Sequence, residues 1–229
     1  PYTLEEVVAR NYLINEKPDV ILNLVDASNI ERNLYLTTQL LELGIPVVVA
    51  LNMIDVAKKN GDKIDTAKLS EALGCPVVET SAVKGEGCVA AAERAAALVV
   101  AKQATVPQHT FAQPVEDALS AIADLVRDVV PPGNQRWFAI KLFGRDEKVM
   151  ENFTLSPDTA RRLEDAITAC ESAMDDDSES IITNERYSYI AKVTGRCVKK
   201  GRTGMSTSDR IDRIVTNRVL ALPIFALVM

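Results

Sequence analysis

The sequence predicts an α/β domain built on a parallel sheet, followed by a small all-α domain. Three observations carry this reading. Short apolar runs at 20–25, 46–51 and 76–79 alternate with stretches of helical apolar period. The texture breaks at 105–114, TVPQHTFAQP, which has two prolines and no strong period. Beyond it the pattern is almost wholly helical. The 229 residues leave room for two domain-sized units, and 47% apolar residues suffice for a packed core.

Residues 1–16 precede the first strand. Leu4, Val7, Val8, Tyr12 and Leu13 suit an amphipathic helix, so the fold begins mid-pattern. Residues 20–25, VILNLV, lack polar alternation and predict a strand buried on both faces. A helix over 30–43 follows, with Leu34, Leu36, Leu40, Leu41 and Leu43 as its stripe and Gly44 at its end. Residues 46–51, PVVVAL, form the second buried strand. A helix over 65–73 closes on Gly74, a third strand covers 76–79, and an Ala- and Val-rich helix covers 87–102. This β-α-β-α-β-α order implies parallel strands with helices on the faces.

The domain boundaries follow: 1–104, a linker at 105–114, a helical domain at 115–207, and a last segment at 208–229. Helices are expected at 115–129, 135–143, 157–174, 178–200 and from Ser206. Pro131-Pro132-Gly133 separates the first two, and Ser156-Pro157 is a good helix start. Trp137 and Phe138 read as core. The run 175–177 of three Asp lacks the alternating ligands of a calcium loop and reads as a solvated interhelical loop.

The formal charge is −6 and the pI about 5.0, which argues against nucleic-acid binding. From Arg196 to Arg218, however, seven Lys/Arg stand against two Asp/Glu, a local +5, leaving −11 on residues 1–195. Residues 219–229, VLALPIFALVM, carry no charge. They are too few to span a bilayer, which takes about 20 apolar residues as a helix. They suit either the first half of a span behind a basic flank or a buried terminal element. The four cysteines form no CxxC pair. The single His109, in the linker, is expected to be exposed and inert, so zinc is disfavoured.

Ligands of parallel α/β sheets bind at the carboxyl ends of the strands. Those ends read Val25-Asp26-Ala27, then Asn52-Met53-Ile54-Asp55, then Ser81-Ala82-Val83-Lys84-Gly85. A carboxylate such as Asp55 accepts from guanine N1–H and the exocyclic amine together, a pair that adenine lacks. Asn52 suits loop geometry and N7. A backbone N–H at Ala82 suits the guanine carbonyl, and small Ser81 and Ala82 let the base approach. Met53 and Lys84 flank it, Val83 belongs to the same site loop, and Gly85 and Gly87 free the turn. Either motif alone matches an ordinary loop; their succession on adjacent strand ends points to guanine recognition.

NMID and SAVKG resemble the fourth and fifth guanine-binding motifs of P-loop GTPases. VDAS at 25–28 resembles the strand before them, and PYTLEEVVARNYL resembles the segment after the third motif. The chain is further similar to the bacterial ferrous iron transport protein B family. NERYSYIAKV at 184–193 resembles that family's last helical-domain helix, and SDRIDRIVTNRVLALPIFALVM at 208–229 resembles its junction into the first membrane helix. The resemblance implies an incomplete GTPase domain at 1–104, which binds GTP or GDP with Mg²⁺ in the intact domain. It implies a downstream transmembrane permease as partner, a place on the cytoplasmic side of the bacterial inner membrane, and room for homo-oligomerisation.

Two departures stand out. Met53 occupies a position that is Lys in most GTPases, which predicts weaker nucleotide binding. No GxxxxGK[ST] occurs in the 229 residues, so catalytic and Mg²⁺ residues are expected upstream, and the chain alone is not expected to hydrolyse GTP. Two rivals stand at this stage: a non-hydrolysing membrane-tethered interaction module, and a cytosolic GTPase of RNA modification.

Overall fold

A computed structural model describes residues 8–9, 12–14, 16–101, 108–130, 133–150 and 155–201. Strands β1 (Ile21–Asp26), β2 (Val47–Asn52) and β4 (Val77–Glu79) form a parallel sheet in the order β1-β2-β4. Ile21 aligns with Val47 and Asp26 with Asn52, so both strands end level. Helices α1 (Ile30–Glu42), α3 (Thr66–Leu73) and α4 (Cys88–Ala101) fall within two residues of their sequence-predicted bounds.

The central strand β2 is buried on both faces, as its apolar run requires. β1 is not: Leu24 is 63% exposed and Leu22 is 40% exposed, against the expectation of two buried faces. On that face α4 packs on β2, setting Ala95 and Leu98 on Val48, with Val20 and Val78 at the edge of the cluster. β1 therefore alternates, with Asn23 and Val25 turned inward and Asn23 Nδ2 donating to Thr37 Oγ1 of α1 at 2.8 Å. Leu36, counted in the apolar stripe of α1, is likewise exposed.

The helical part comprises α5 (Gln113–Leu125), α6 (Gln135–Phe143), α7 (Glu147–Met150), α8 (Pro157–Met174) and α9 (Ser178–Cys197). Ser156 caps α8 by accepting from Thr159 N, and Asp177 caps α9 by accepting from Ser180 N. Trp137 is buried, as expected of core, and Asp175 to Asp177 form the α8–α9 turn.

Three features escaped the sequence. Asn52 to Asp55 are not all loop, because a helix, α2 (Ile54–Lys59), starts at Ile54. α7 is one turn. The helix expected to reach residue 200 stops at Cys197, where Val198 turns extended (φ −119°, ψ 125°). Strand β5 (Val198–Lys199) then pairs antiparallel with β3 (Lys63–Ile64). Main-chain pairing with a distant strand outweighed helical continuation there. The segment at 202–229 and the linker residues 102–107 lie outside the described residues. Among the described residues no helix is long and apolar enough to cross a membrane.

The two parts share one core, because α9 packs on α1 and α3. Arg186 of α9 grips Glu42 at the C-terminal end of α1: Nη2 lies 2.6 Å from Oε2 and Nε 3.2 Å from Oε1. Both side chains are buried. His109 stands beside them, and its expected exposure is corrected here: it is 2% exposed. Its ring packs between Phe111 and Tyr189, with centroids 5.0 and 5.1 Å away. Nε2 lies 3.2 Å from Glu42 Oε1, outside hydrogen-bond geometry. His109 and Phe111 of the supposed linker are thus core. Two helix ends are closed across the same seam: Asn134 Nδ2 donates to Leu43 O and Tyr189 Oη donates to Ala72 O.

Burial pushes the Glu42 carboxyl up, but the His109 ring and the Arg186 guanidinium outweigh it and hold the group below the ordinary glutamate value of 4.5. A depressed carboxyl contributes stability above its unfolded value, and loses it as pH falls through the folded one. Glu42→Ala should therefore destabilise the chain by about 3 kcal/mol at neutral pH, since it strands a buried guanidinium. In urea titrations the gap between wild type and variant should narrow as pH drops below 4.5; a constant gap would refute this role for the ionised pair.

Candidate functional site

The level ends of β1, β2 and β4 open on one edge of the sheet. At the first, Asp26 accepts from Ser28 N at 2.8 Å and Ser28 Oγ at 2.7 Å, winding Ala27–Asn29 into a 3-10 turn. Burial pushes the Asp26 carboxyl up, but these hydrogen bonds outweigh it and keep it ionised. Asp26 is thus a turn-builder whose donors are local.

The other two ends are joined. Asn52, the last residue of β2, accepts from Ala82 N through Oδ1 at 3.1 Å, across thirty residues of sequence. Ile54 N donates to Thr80 O at 3.4 Å. Asp55, in the first turn of α2, has Oδ2 3.8 Å from Lys84 Nζ. The five residues Asn52, Asp55, Ser81, Ala82 and Lys84 predicted from separate motifs therefore form one cluster. The Ala82 N–H assigned to a base carbonyl is donated to Asn52 in this arrangement.

Met53 sits between them with left-handed backbone (φ 58°, ψ 27°) and is 41% exposed. A non-glycine residue there costs about 1–2 kcal/mol. That cost turns the chain sharply from β2 into α2, placing Asp55 over the edge with its carboxylate at a helix N-terminus, where negative charge is favoured. Burial raises the Asp55 carboxyl. The neighbouring Ser81 hydroxyl, local backbone N–H groups and Lys84 outweigh this and hold it below the usual aspartate range. The Ser81 hydroxyl is itself buried and falls short of hydrogen-bonding geometry, so it acts on Asp55 as a nearby dipole. Val83 is 98% exposed at the tip of the 3-10 turn Ala82–Lys84. The cluster thus presents an ionised acceptor and an apolar flank beside an ammonium.

Sequence reasoning missed how the second loop is closed. Ser81 N donates to Glu86 O at 2.9 Å and Glu86 N returns to Ser81 O at 3.2 Å. Lys58 Nζ of α2 binds Glu79 Oε2 of β4 at 2.6 Å. No local spacing signals a pair so far apart in sequence.

A parallel sheet with its strand-end loops joined in this way, together with a helical bundle, is a G-domain fold with an attached helical domain. The sequence model of the ferrous iron transport protein B family matches residues 1–95, and that of the FeoB cytosolic helical domain matches residues 111–199. The Fe(2+) transporter FeoB of Salmonella typhimurium (strain LT2) is 36% identical over 240 residues, covering 99% of this chain and 29% of its own length. That of Escherichia coli (strain K12) is 35% identical over 231 residues, with the same coverage. A GDP-bound mutant of the S. thermophilus FeoB G-domain superposes with a TM-score of 0.84 at 43% identity, over 87% of this chain and 76% of that one. An mGMPPNP-bound S. thermophilus NFeoB gives 0.80 at 43% identity, over 90% and 77%. The chain belongs to the ferrous iron transport protein B family and matches its G-domain region over residues 1–95 and its helical domain over 111–199. It spans about 29% of the length of the curated relatives it matches.

Gly87 (φ 74°) closes the β4 loop, and a Cβ there would stand 2.0 Å from Glu79 O. Gly85 has a similar φ of 72° but open space around it. Gly87→Ala should therefore cost about 3 kcal/mol or more in urea unfolding, because the β4 backbone must move. Gly85→Ala should cost about 1–2 kcal/mol, the left-handed penalty alone. Equal losses would show that the close approach at Gly87 is not what the loop depends on.

Proposed function

We propose that this chain supplies the guanine-base pocket and the helical domain of the cytosolic region of a ferrous iron transporter. The observation that carries this reading is the hydrogen bond from Ala82 N to Asn52 Oδ1, which brings the two motifs onto one edge with Asp55 between them and Lys84. Asp55 accepts from guanine N1–H and the exocyclic amine. Asn52 ties the loops together and offers its amide nitrogen to N7. The base carbonyl competes for the Ala82 N–H. Met53 and Val83 lie against the base faces, Ser81 keeps the approach short, and the Lys84 stem flanks the ring.

The S. thermophilus relatives are described with GDP and mGMPPNP, which supports a guanine nucleotide as ligand. In the intact protein we assign GTP hydrolysis to this domain, with phosphate and Mg²⁺ ligands outside the described residues. Among those residues no group of three or more His, Cys, Asp or Glu could hold a metal ion. We further propose a GTPase part at 1–104, a helical domain at 115–207 and a junction at 208–229; the family matches at 1–95 and 111–199 support the first two. The relatives' description as Fe(2+) transporters supports a downstream permease, with this region on the cytoplasmic side of the inner membrane.

Asp55→Asn in the full-length protein tests the base assignment. Competition binding should show guanine nucleotide affinity falling by roughly a hundredfold or more. Xanthine nucleotides should gain, because an amide donor pairs with their extra carbonyl. Unchanged base preference would remove Asp55 from the site.

A further inference from the structure

The short helix α2 has a base-edge residue at one end and a second attachment at the other. Asp55 lies in its first turn. Six residues of helix, about 9 Å of rise, lead to Asn60 and Gly61, and Asp62 N closes the turn on Ala57 O at 2.9 Å. Ile54 and Ala57 are buried, so α2 moves as one body with what holds it.

Strand β3 follows at once and pairs with β5, the strand into which α9 runs out. The joint is stitched at several points. Asp65 N donates to Cys197 O at 2.8 Å, and Gly201 N donates to Asp62 Oδ1 at 2.9 Å. Lys200 Nζ lies 3.6 Å from Asp62 Oδ2, whose side chain is 9% exposed. The two backbones cross in contact: a Cβ on Gly201 would fall 2.0 Å from Gly61 C and O. Gly61 itself has a φ of 84°. This crossing admits only glycine at Gly201.

The ribbon is two residue pairs long. Two-stranded pairing of that size is marginal by itself and depends on its surroundings. It is also the one described place where the main chain leaving the helical domain is hydrogen-bonded to the main chain leaving the base edge.

We propose that the β3–β5 ribbon is a coupling joint between the base-binding edge and the chain leaving α9, each biasing the position of the other. The proposal rests on the guanine reading of the Asn52–Asp55 edge. A ligand seated on Asp55 fixes the N-terminus of α2. The rigid helix then holds Asp62 and β3 in the position that pairs with β5. Displacement of β5 acts back on the base edge by the same route, since such coupling is reciprocal.

Amide hydrogen exchange on the full-length protein, with GDP as the probe, tests this. GDP should slow exchange at 80–84, reporting base-loop occupancy. It should also slow exchange at 62–65 and 197–201 by about fivefold or more, the lower end of the usual coupling range. Gly201→Val, which forces the crossing apart, should keep the first response and abolish the second. Asp62→Asn, which weakens the Gly201 and Lys200 contacts without a steric change, should reduce the second if the valine variant does not fold. Protection at 80–84 with an unresponsive wild-type ribbon would overturn the joint while leaving the base assignment standing. A ribbon response that survives both substitutions would also overturn it. No protection at either segment would remove the base assignment and the joint with it.

Discussion

A carboxylate at the C-terminal end of a helix faces the negative end of the helix dipole, and burial makes its position worse. Glu42 occupies such a place on α1, and the structure is arranged around its compensation. Arg186 reaches it from α9 with a two-point contact, and the buried His109 ring stands 3.2 Å from Oε1. Neither partner is tolerable there alone. The pair therefore specifies one docking of α9 on α1, and the other contacts of the seam follow from that docking. Asn134 closes α1, Tyr189 closes α3, and the end of α9 meets β3.

The sheet edge that carries the proposed guanine site depends on the same frame. Parallel pairing in register brings the ends of β1 and β2 level, and β4 adds a third loop on the same side. Chemistry is then divided by environment. Asp26 spends its acceptors on its own turn, whereas Asp55 is lifted clear by the left-handed Met53 and stays ionised beside Lys84. Two carboxylates at adjacent strand ends thus have different roles. The side chain that joins the loops is neutral Asn52, whose amide oxygen accepts from Ala82 N while its amide nitrogen remains a donor.

Much of this was legible in the residues. Three apolar runs, the glycines after helices and the Ser156-Pro157 start mark strands and helices by local rules, so those elements fall close to where the pattern puts them. The pairing of NMID with SAVKG was readable for the same reason: each motif is contiguous, and strand order alone sets them side by side. Local rules failed where partners are distant. A lone histidine in a proline-flanked polar stretch gives no sign of burial, because Glu42 and Tyr189, which enclose it together with Phe111, lie on α1 and α9. The run at 178–200 is helical in composition throughout, yet Val198 is drawn into a strand by Ile64.

By itself, then, the sequence determined the order of elements, the shared edge on which the motifs lie, and the family to which the chain belongs. These are properties of short spans and of periodicity. Only the tertiary structure decided which acidic side chains stay available, that His109 is core, and that β1 exposes Leu22 and Leu24. It also decided that the end of α9 is bound to the strand that follows α2. Each of these is set by contacts between residues far apart in the chain, such as Glu42 with Arg186 and Gly61 with Gly201, and no local pattern encodes which distant surface a residue will meet.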